Sequence, residues 1–182
     1  MWLKVTDRYD NMKLPKRKTN RLKGYDYSAP GAYFITICTY NRRQFLSHIV
    51  GAIHESPENK LTPYGQIVND IIKHLPQRYG IEIDKYIIMP NHIHLIVLIK
   101  DDERAIHESP LREKKHRSLI SKAVGYLKMN ASKRFHEFTN EKRIWQRTYH
   151  DHIIRNEKDY QKIWEYIHTN PLKWEDDCFY SE

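Results

Sequence analysis

The sequence contains little of what membrane, secreted or disulfide-stabilised proteins need. Its 182 residues include two cysteines, Cys38 and Cys178, which lie far apart and fit no disulfide or metal framework. No apolar run reaches the roughly 18 residues that a membrane-spanning helix requires. The N-terminus lacks the apolar core of a secretory signal. We therefore expect a cytoplasmic protein with no membrane partner.

Positive charge is abundant instead. The formal net charge is +8, and thirteen tyrosines and four tryptophans accompany it. Basic residues cluster near the N-terminus and again at 112–117. Such clusters also occur on ordinary solvated surfaces, but exposed aromatic side chains beside them can stack unpaired bases. The composition therefore favours nucleic acid as the partner.

The pattern along the chain predicts a basic arm over residues 1–30 and a single domain over 31–182. Strands are predicted at 32–40, 81–89, 92–100 and within 143–154, and helices from Thr62, from Ser118 to about Phe138, and from Asn156 to just before Pro171. The order β-α-β-β-α-β with an added C-terminal helix is that of an α+β, ferredoxin-like fold. We expect an antiparallel sheet with helices on one side.

The hexapeptide AIHESP occurs twice, at 52–57 and at 105–110. A structural repeat would span a whole supersecondary unit of at least about 20 residues, yet the sequences flanking the two copies share nothing. We interpret the pair as a duplication tolerated in surface loops.

Two histidines stand at the start of an otherwise apolar strand, in "IIMPNHIHLIVLI". Residues i and i+2 of a strand share a face, so His92 and His94 can present two imidazoles to one divalent metal. His150 and His152 have the same spacing and compete for this role. The preceding "MPN" turn puts the first pair at a strand end, where a site can open to solvent.

Longer motifs resemble a known family. "IIMPNHIHLIV" resembles the HUH motif (histidine, bulky hydrophobe, histidine) of single-strand DNA transposases. "IWQRTYHDHIIRNEKDYQKIWEYIHTNPLKWEDD" is similar to the signature of REP-associated tyrosine transposases, within the Y1 transposase superfamily. "PGAYFITICTYNR" and "SLISKAVGYLKMNASKRFHE" extend the match over most of residues 24–180.

The resemblance implies roles for individual residues. It gives Tyr166 as the nucleophile and Asn170 as the third metal ligand beside His92 and His94; on a helix, i and i+4 share a face. Tyr126 is the rival nucleophile. His152 would orient a phosphate or hydrogen-bond to a metal ligand. Basic positions implied in DNA binding, together with those of the arm, are Lys16, Arg17, Lys18, Arg21, Lys128, Lys133, Arg134, Arg147 and Arg155.

The implied activity is metal-dependent nicking and rejoining of single-stranded DNA hairpins through a 5′-phosphotyrosine, with Mg²⁺ or Mn²⁺ as cofactor. Such an enzyme would work near the nucleoid, as a monomer or a homodimer. One alternative is a non-catalytic module of the same fold that binds single-stranded nucleic acid and regulates. A two-histidine phosphodiesterase would need two H-x-[ST] motifs that face each other. The H-x-S triplets of this sequence, at His54, His107 and His116, fall in segments that we interpret as polar loops, so we do not favour this interpretation.

Overall fold

The computed structural model describes residues 25–51, 57–101 and 118–180. The predicted DNA contacts of the arm, Lys16, Arg17, Lys18 and Arg21, lie outside the described residues. So do both copies of the hexapeptide, apart from Pro57. Residues 25–30, the end of the predicted arm, reach the core, where Tyr27 is buried.

The described residues contain six strands and three α-helices. In chain order they are β1 (Gly31–Cys38), β2 (Ser47–Val50), β3 (Glu58–Leu61), α1 (Pro63–Tyr79), β4 (Ile81–Ile88), β5 (His92–Ile99), α2 (Leu119–Phe135), β6 (His150–Ile154) and α3 (Glu157–Thr169). Four strands form an antiparallel sheet in the order β4-β5-β1-β6. This is the ferredoxin-like strand order, and the predicted fold class is confirmed.

The predicted helix starts are also confirmed. Thr62, Ser118 and Asn156 each accept a hydrogen bond from the backbone N–H three residues later. These side chains satisfy backbone donors that have no partner within the helix.

Strand β5 is apolar on both sides because both faces of the sheet are covered. Ile93, Leu95 and Val97 belong to the core beneath α1 and α2. On the opposite face Ile96 packs with Ile167 of α3. By alternation His92 and His94 lie on this second face, beneath the C-terminal part of the chain. The helix α3 therefore covers the face of the sheet that carries the histidines.

Three details differ from the sequence-based expectation. The hairpin β2–β3 stands between the first predicted strand and the first predicted helix, where the sequence analysis placed no strand. Helix α2 ends at Phe135, and Phe138 is 69% exposed, so burial does not favour further turns. Within the predicted extended segment 143–154, only β6 is a strand of the sheet. The residues before it make a single bridge, from Trp145 to Thr39. The carbonyls of Gln146 and Thr148 accept hydrogen bonds from Lys128 instead of joining the ladder.

No helix among the described residues is both long enough and apolar enough to cross a membrane.

Candidate metal centre and nucleophile

The two histidines of β5 are completely buried and adjacent. His92 and His94 have no solvent exposure, and their ring centroids lie 4.4 Å apart. His92 pairs with Cys38 and His94 with Thr36 across the β1–β5 ladder. The rigid centre of the sheet therefore fixes the position of both imidazoles.

The hydrogen bonds of His92 determine its tautomer. Its Nδ1 lies 2.8 Å from Oδ1 of Asn91, and the amide nitrogen of Asn91 donates to the carbonyls of Arg42 and Phe179. Oδ1 is an acceptor only, so Nδ1 of His92 carries the proton. The lone pair of neutral His92 is therefore on Nε2, which is buried and has no hydrogen-bond partner among the described residues.

His94 is held by β1 in a similar way. Its Nδ1 lies 2.8 Å from the hydroxyl of Thr36, and its Nε2 lies 3.3 Å from the hydroxyl of Tyr166. Nδ1 of each imidazole is thus held by a hydrogen bond from or to a neighbouring side chain. The Nε2 atoms remain to face the space beneath α3.

Tyr166 and Asn170 come to this space from the last turn of α3 and the residue that follows it. The Tyr166 hydroxyl donates to Oδ2 of Asp177 at 2.9 Å, and the amide of Asn170 donates to the same oxygen at 2.5 Å. Oδ1 of Asn170 is buried and has no partner among the described residues. The structure therefore brings together all four residues that the family resemblance singled out.

Asp177 also belongs to the centre and was missed from the sequence. A 3₁₀ turn at Asn170–Lys173 ends α3 and folds the chain back, so that Trp174 and Phe179 lie against the imidazole of His92. The backbone N–H of Phe179 donates to Oδ1 of Asp177, which leaves Oδ2 directed to Tyr166 and Asn170. No helix or strand periodicity in the sequence predicts the position of Asp177. The only sequence signal is a run of three acidic residues, Glu175, Asp176 and Asp177, nine to eleven residues after the tyrosine.

Burial decides the ionisation of the centre. It lowers the pKa of His92 to about 4 and, together with the neighbouring His92, lowers the pKa of His94 well below its usual value. Both imidazoles are thus neutral at pH 7, as metal ligation requires. Burial, followed by the hydrogen bond and negative charge of Asp177, raises the pKa of Tyr166. The phenol is therefore protonated at neutral pH.

These residues fit a divalent cation. Ligand atoms of His92, His94 and Asp177 all lie within 4.8 Å of one another. In the described ranges no other group of three or more His, Cys, Asp or Glu residues meets this criterion, so His150 and His152 do not form a competing site. Two further observations point the same way: Nε2 of His92 and Oδ1 of Asn170 are lone-pair atoms left unsatisfied in a buried space.

Two other predicted residues lie away from this group. Tyr126 is on α2, partly buried against the core on the opposite face of the sheet, where its ring packs beside Tyr79 and beneath Arg78. His152 of β6 is exposed, and its Nε2 lies 2.8 Å from the carboxylate of Asp159 at the start of α3. The geometry therefore favours Tyr166 over Tyr126 as the tyrosine beside the metal ligands.

The predicted DNA-contacting residues within the described ranges differ in their environments. Lys133, Arg134, Arg147 and Arg155 are exposed. Lys128 is half-buried; burial lowers its pKa to about 8, and its ammonium donates to the carbonyls of Gln146 and Thr148. Lys128 thus fastens the segment before β6 to α2.

Comparison with known proteins finds relatives that match most or nearly all of the chain. A protein of Haemophilus influenzae, whose name gives no function, is 33% identical over 97% of this chain and 99% of its own length. The REP-associated tyrosine transposase of Escherichia coli K12 is 27% identical over 81% of this chain and 70% of its own length. No family model matches the sequence.

A solved structure shares the fold. It is that of a REP-associated tyrosine transposase bound to a REP hairpin, with a TM-score of 0.58 and 23% sequence identity over 85% of this chain and 73% of that one. The fold, the motifs and the named relatives agree. These named relatives and this shared fold make the REP-associated tyrosine transposases the family that the chain resembles.

Proposed function

We propose that this protein is a metal-dependent single-strand DNA endonuclease and strand transferase that uses Tyr166 as its nucleophile. One observation carries the proposal: the Tyr166 hydroxyl lies 3.3 Å from Nε2 of His94, within a buried group of unsatisfied metal-ligating atoms. A nucleic-acid-binding module would not need this combination. Hairpin DNA is the substrate we propose, because a structural neighbour with the same fold is described as bound to a REP hairpin.

His92, His94 and Asn170 would hold the cation through their two Nε2 atoms and one Oδ1. Asp177 lies beside them as a counter-charge. Imidazole, amide and carboxylate donors together suit Mn²⁺ or Mg²⁺. When bound, the cation would polarise the phosphate oxygens and offset the negative charge that raises the pKa of Tyr166.

Tyr166 would attack phosphorus, forming the Tyr–O–P bond as the bond from phosphorus to the 3′ oxygen breaks. Asp177 accepts the hydrogen bond of the phenol at 2.9 Å, so it is the group suited to take the phenolic proton. The 3′ oxygen would leave as a hydroxyl after it takes up a proton from water. Because the phosphodiester energy is stored in the protein–DNA link, a second 3′-hydroxyl can reverse the step and join strands.

Trp174 and Phe179 cover the imidazoles, and both histidines are fully buried. A phosphodiester can therefore approach them only after the segment that follows Lys173 moves. Residues 174–179 would then accompany any change between an open and a closed centre.

The test is a covalent adduct. The protein is incubated with single-stranded hairpin DNA and Mn²⁺, and the mixture is run on a denaturing gel. A band that survives denaturation is expected with the wild type and with Tyr126→Phe, and none with Tyr166→Phe. The last change removes only the attacking oxygen and leaves the packing of the ring.

An adduct lost in Tyr126→Phe and kept in Tyr166→Phe would overturn the nucleophile assignment. Tight DNA binding without an adduct on any hairpin, with Mn²⁺ or Mg²⁺, would favour the non-catalytic binding module instead. Undiminished cleavage in a chelator, or in His92→Ala, would remove the metal from the mechanism.

A further inference from the structure

We propose that a groove beside the metal centre binds one unpaired nucleotide of the DNA strand, next to the phosphodiester that Tyr166 attacks. The proposal rests on the function proposed above and adds a site to it. The groove lies between the loop that follows β1 and the extended segment that precedes β6. Its lining residues are Tyr40, Asn41, Arg143, Trp145, Gln146, Arg147 and Thr148.

The size and charge of the groove suit a nucleotide. Its volume is ≈ 760 Å³, within the roughly 300–1,000 Å³ of small-molecule sites. Arg143 and Arg147 supply positive charge, and no acidic side chain is among the lining residues. The nearby carboxylate of Glu141 is paired with Arg43. An anionic ligand is therefore favoured over a cationic one.

The remaining side chains suit a base as well as a phosphate. The ring of partly exposed Tyr40 has the guanidinium of Arg143 5.5 Å from its centroid, an aromatic–cation pair on which a base can stack. Asn41 and Gln146 offer amide donors and acceptors. The indole N–H of Trp145 is buried in the same wall without a hydrogen-bond partner in the described part of the chain. A bare phosphate could accept hydrogen bonds from the amide groups, but it would make no use of the Tyr40 ring or of the amide acceptors.

Both walls are held in place before any ligand arrives. Asn41 and Arg42 each have a φ of 54°, a left-handed conformation that is uncommon outside glycine and is kept only where the surroundings enforce it. The opposite wall is tied to α2 by Lys128, which donates to the carbonyls of Gln146 and Thr148. A preformed groove loses less conformational entropy on binding.

The groove and the metal centre share one loop. Arg42 donates to the carbonyl of Cys178, next to Asp177, and its guanidinium lies 5.5 Å from the ring of Phe179. Asn91 joins the same elements, because its amide donates to the carbonyls of Arg42 and Phe179 while its Oδ1 accepts from His92. Once residues 174–179 have moved, a strand with one phosphate at the imidazoles would bring a neighbouring base to the loop that carries Tyr40.

The experiment combines a protein change with a DNA change. Affinities for a single-stranded DNA hairpin with unpaired flanks are measured by fluorescence anisotropy for the wild type, Tyr40→Ala and Tyr40→Phe. Each protein is then tested on a series of DNAs in which one flanking base at a time is replaced by an abasic site. Trp164→Ala is the control, because it removes an exposed aromatic paired with Lys85 at 4.1 Å on the α3–β4 side of the sheet. Circular dichroism and thermal melting verify folding.

Tyr40→Ala should weaken binding of intact DNA by roughly five- to hundred-fold, the range of one lost stacking contact. Tyr40→Phe should change it less than about two-fold. On the DNA that lacks the base stacked on Tyr40, Tyr40→Ala should not weaken binding further, because the stacking contact is already absent. A loss that is the same on every abasic DNA, or no loss at all, would overturn the groove. If Trp164→Ala weakened binding equally and its effect disappeared at the same abasic position, the groove would also be overturned.

Failure of the groove and failure of the proposed function give different results. If the wild type forms the covalent adduct but Tyr40→Ala binds normally, the groove is wrong and the function stands. If no adduct forms while the Tyr40 effect disappears at one abasic position, the groove stands and the enzymatic function fails.

Discussion

At the scale of single residues, the hydroxyl of Thr36 holds the ring of His94. It lies 2.8 Å from Nδ1 in a fully buried position, so Nε2 is left to face Tyr166 and the proposed metal. Thr36→Val keeps the shape and removes this hydrogen bond. Mn²⁺ affinity, measured by isothermal titration calorimetry, should fall about 10- to 100-fold, the usual effect of losing a partner that orients a ligating histidine.

Thr36→Ser is the matched control, because it restores the hydroxyl and should recover most of the affinity. The valine variant should also lose about 1–3 kcal/mol of stability, since Nδ1 becomes a buried group without a partner. Wild-type Mn²⁺ affinity in Thr36→Val would contradict this role of the hydroxyl.

At the scale of elements, α1 begins in close contact with the backbone near β2. A Cβ built on Gly65 would lie 2.0 Å from the carbonyl oxygen of Leu46, which does not belong to a flexible side chain. Gly65→Ala should therefore destabilise the protein by about 1–3 kcal/mol or more.

Gly125 in α2 is the matched control for this prediction. A Cβ there would meet no atom within 4 Å, so Gly125→Ala should stabilise the protein by up to about 1 kcal/mol through helix propensity alone. Urea unfolding of the two variants measures both effects. Stabilisation of both variants would show that the contact at Leu46 is not what requires glycine at position 65.

Periodic patterns account for what the sequence could predict at this scale. The i, i+2 spacing of His92 and His94 acts within one strand, so local geometry gives them a shared face. Tyr166 and Asn170 came from the family resemblance, and their i, i+4 spacing is consistent with a shared helix face. Asp177 and the groove at Tyr40 depend on non-repeating backbone: a 3₁₀ turn in one case and left-handed residues in the other. The hairpin β2–β3 escaped prediction because its strands are four residues each and carry no clear alternation.

At the scale of the whole molecule, the net charge of +8 should dominate affinity for DNA. Basic residues near the N-terminus form the densest cluster: Lys13, Lys16, Arg17, Lys18, Arg21 and Lys23. Each basic residue that neutralises a phosphate of single-stranded DNA contributes about 0.7 to the slope of log K against log salt concentration. Deleting residues 1–23 should therefore weaken binding and flatten this slope, by about 4 if all six contact phosphates.

A full-length variant with glutamine at those six positions separates charge from chain length. It should reproduce the flattened slope of the deletion while the covalent adduct at Tyr166 still forms at low salt, because the metal centre lies entirely in the described sheet and α3 region. Phosphate contacts provide affinity and do not select a base, so the effect of Tyr40→Ala should still disappear at one abasic position in this variant. An unchanged slope would mean that the cluster is solvated and does not touch DNA, which would leave the cationic groove and the exposed Lys133, Arg134 and Arg155 as the main electrostatic contacts.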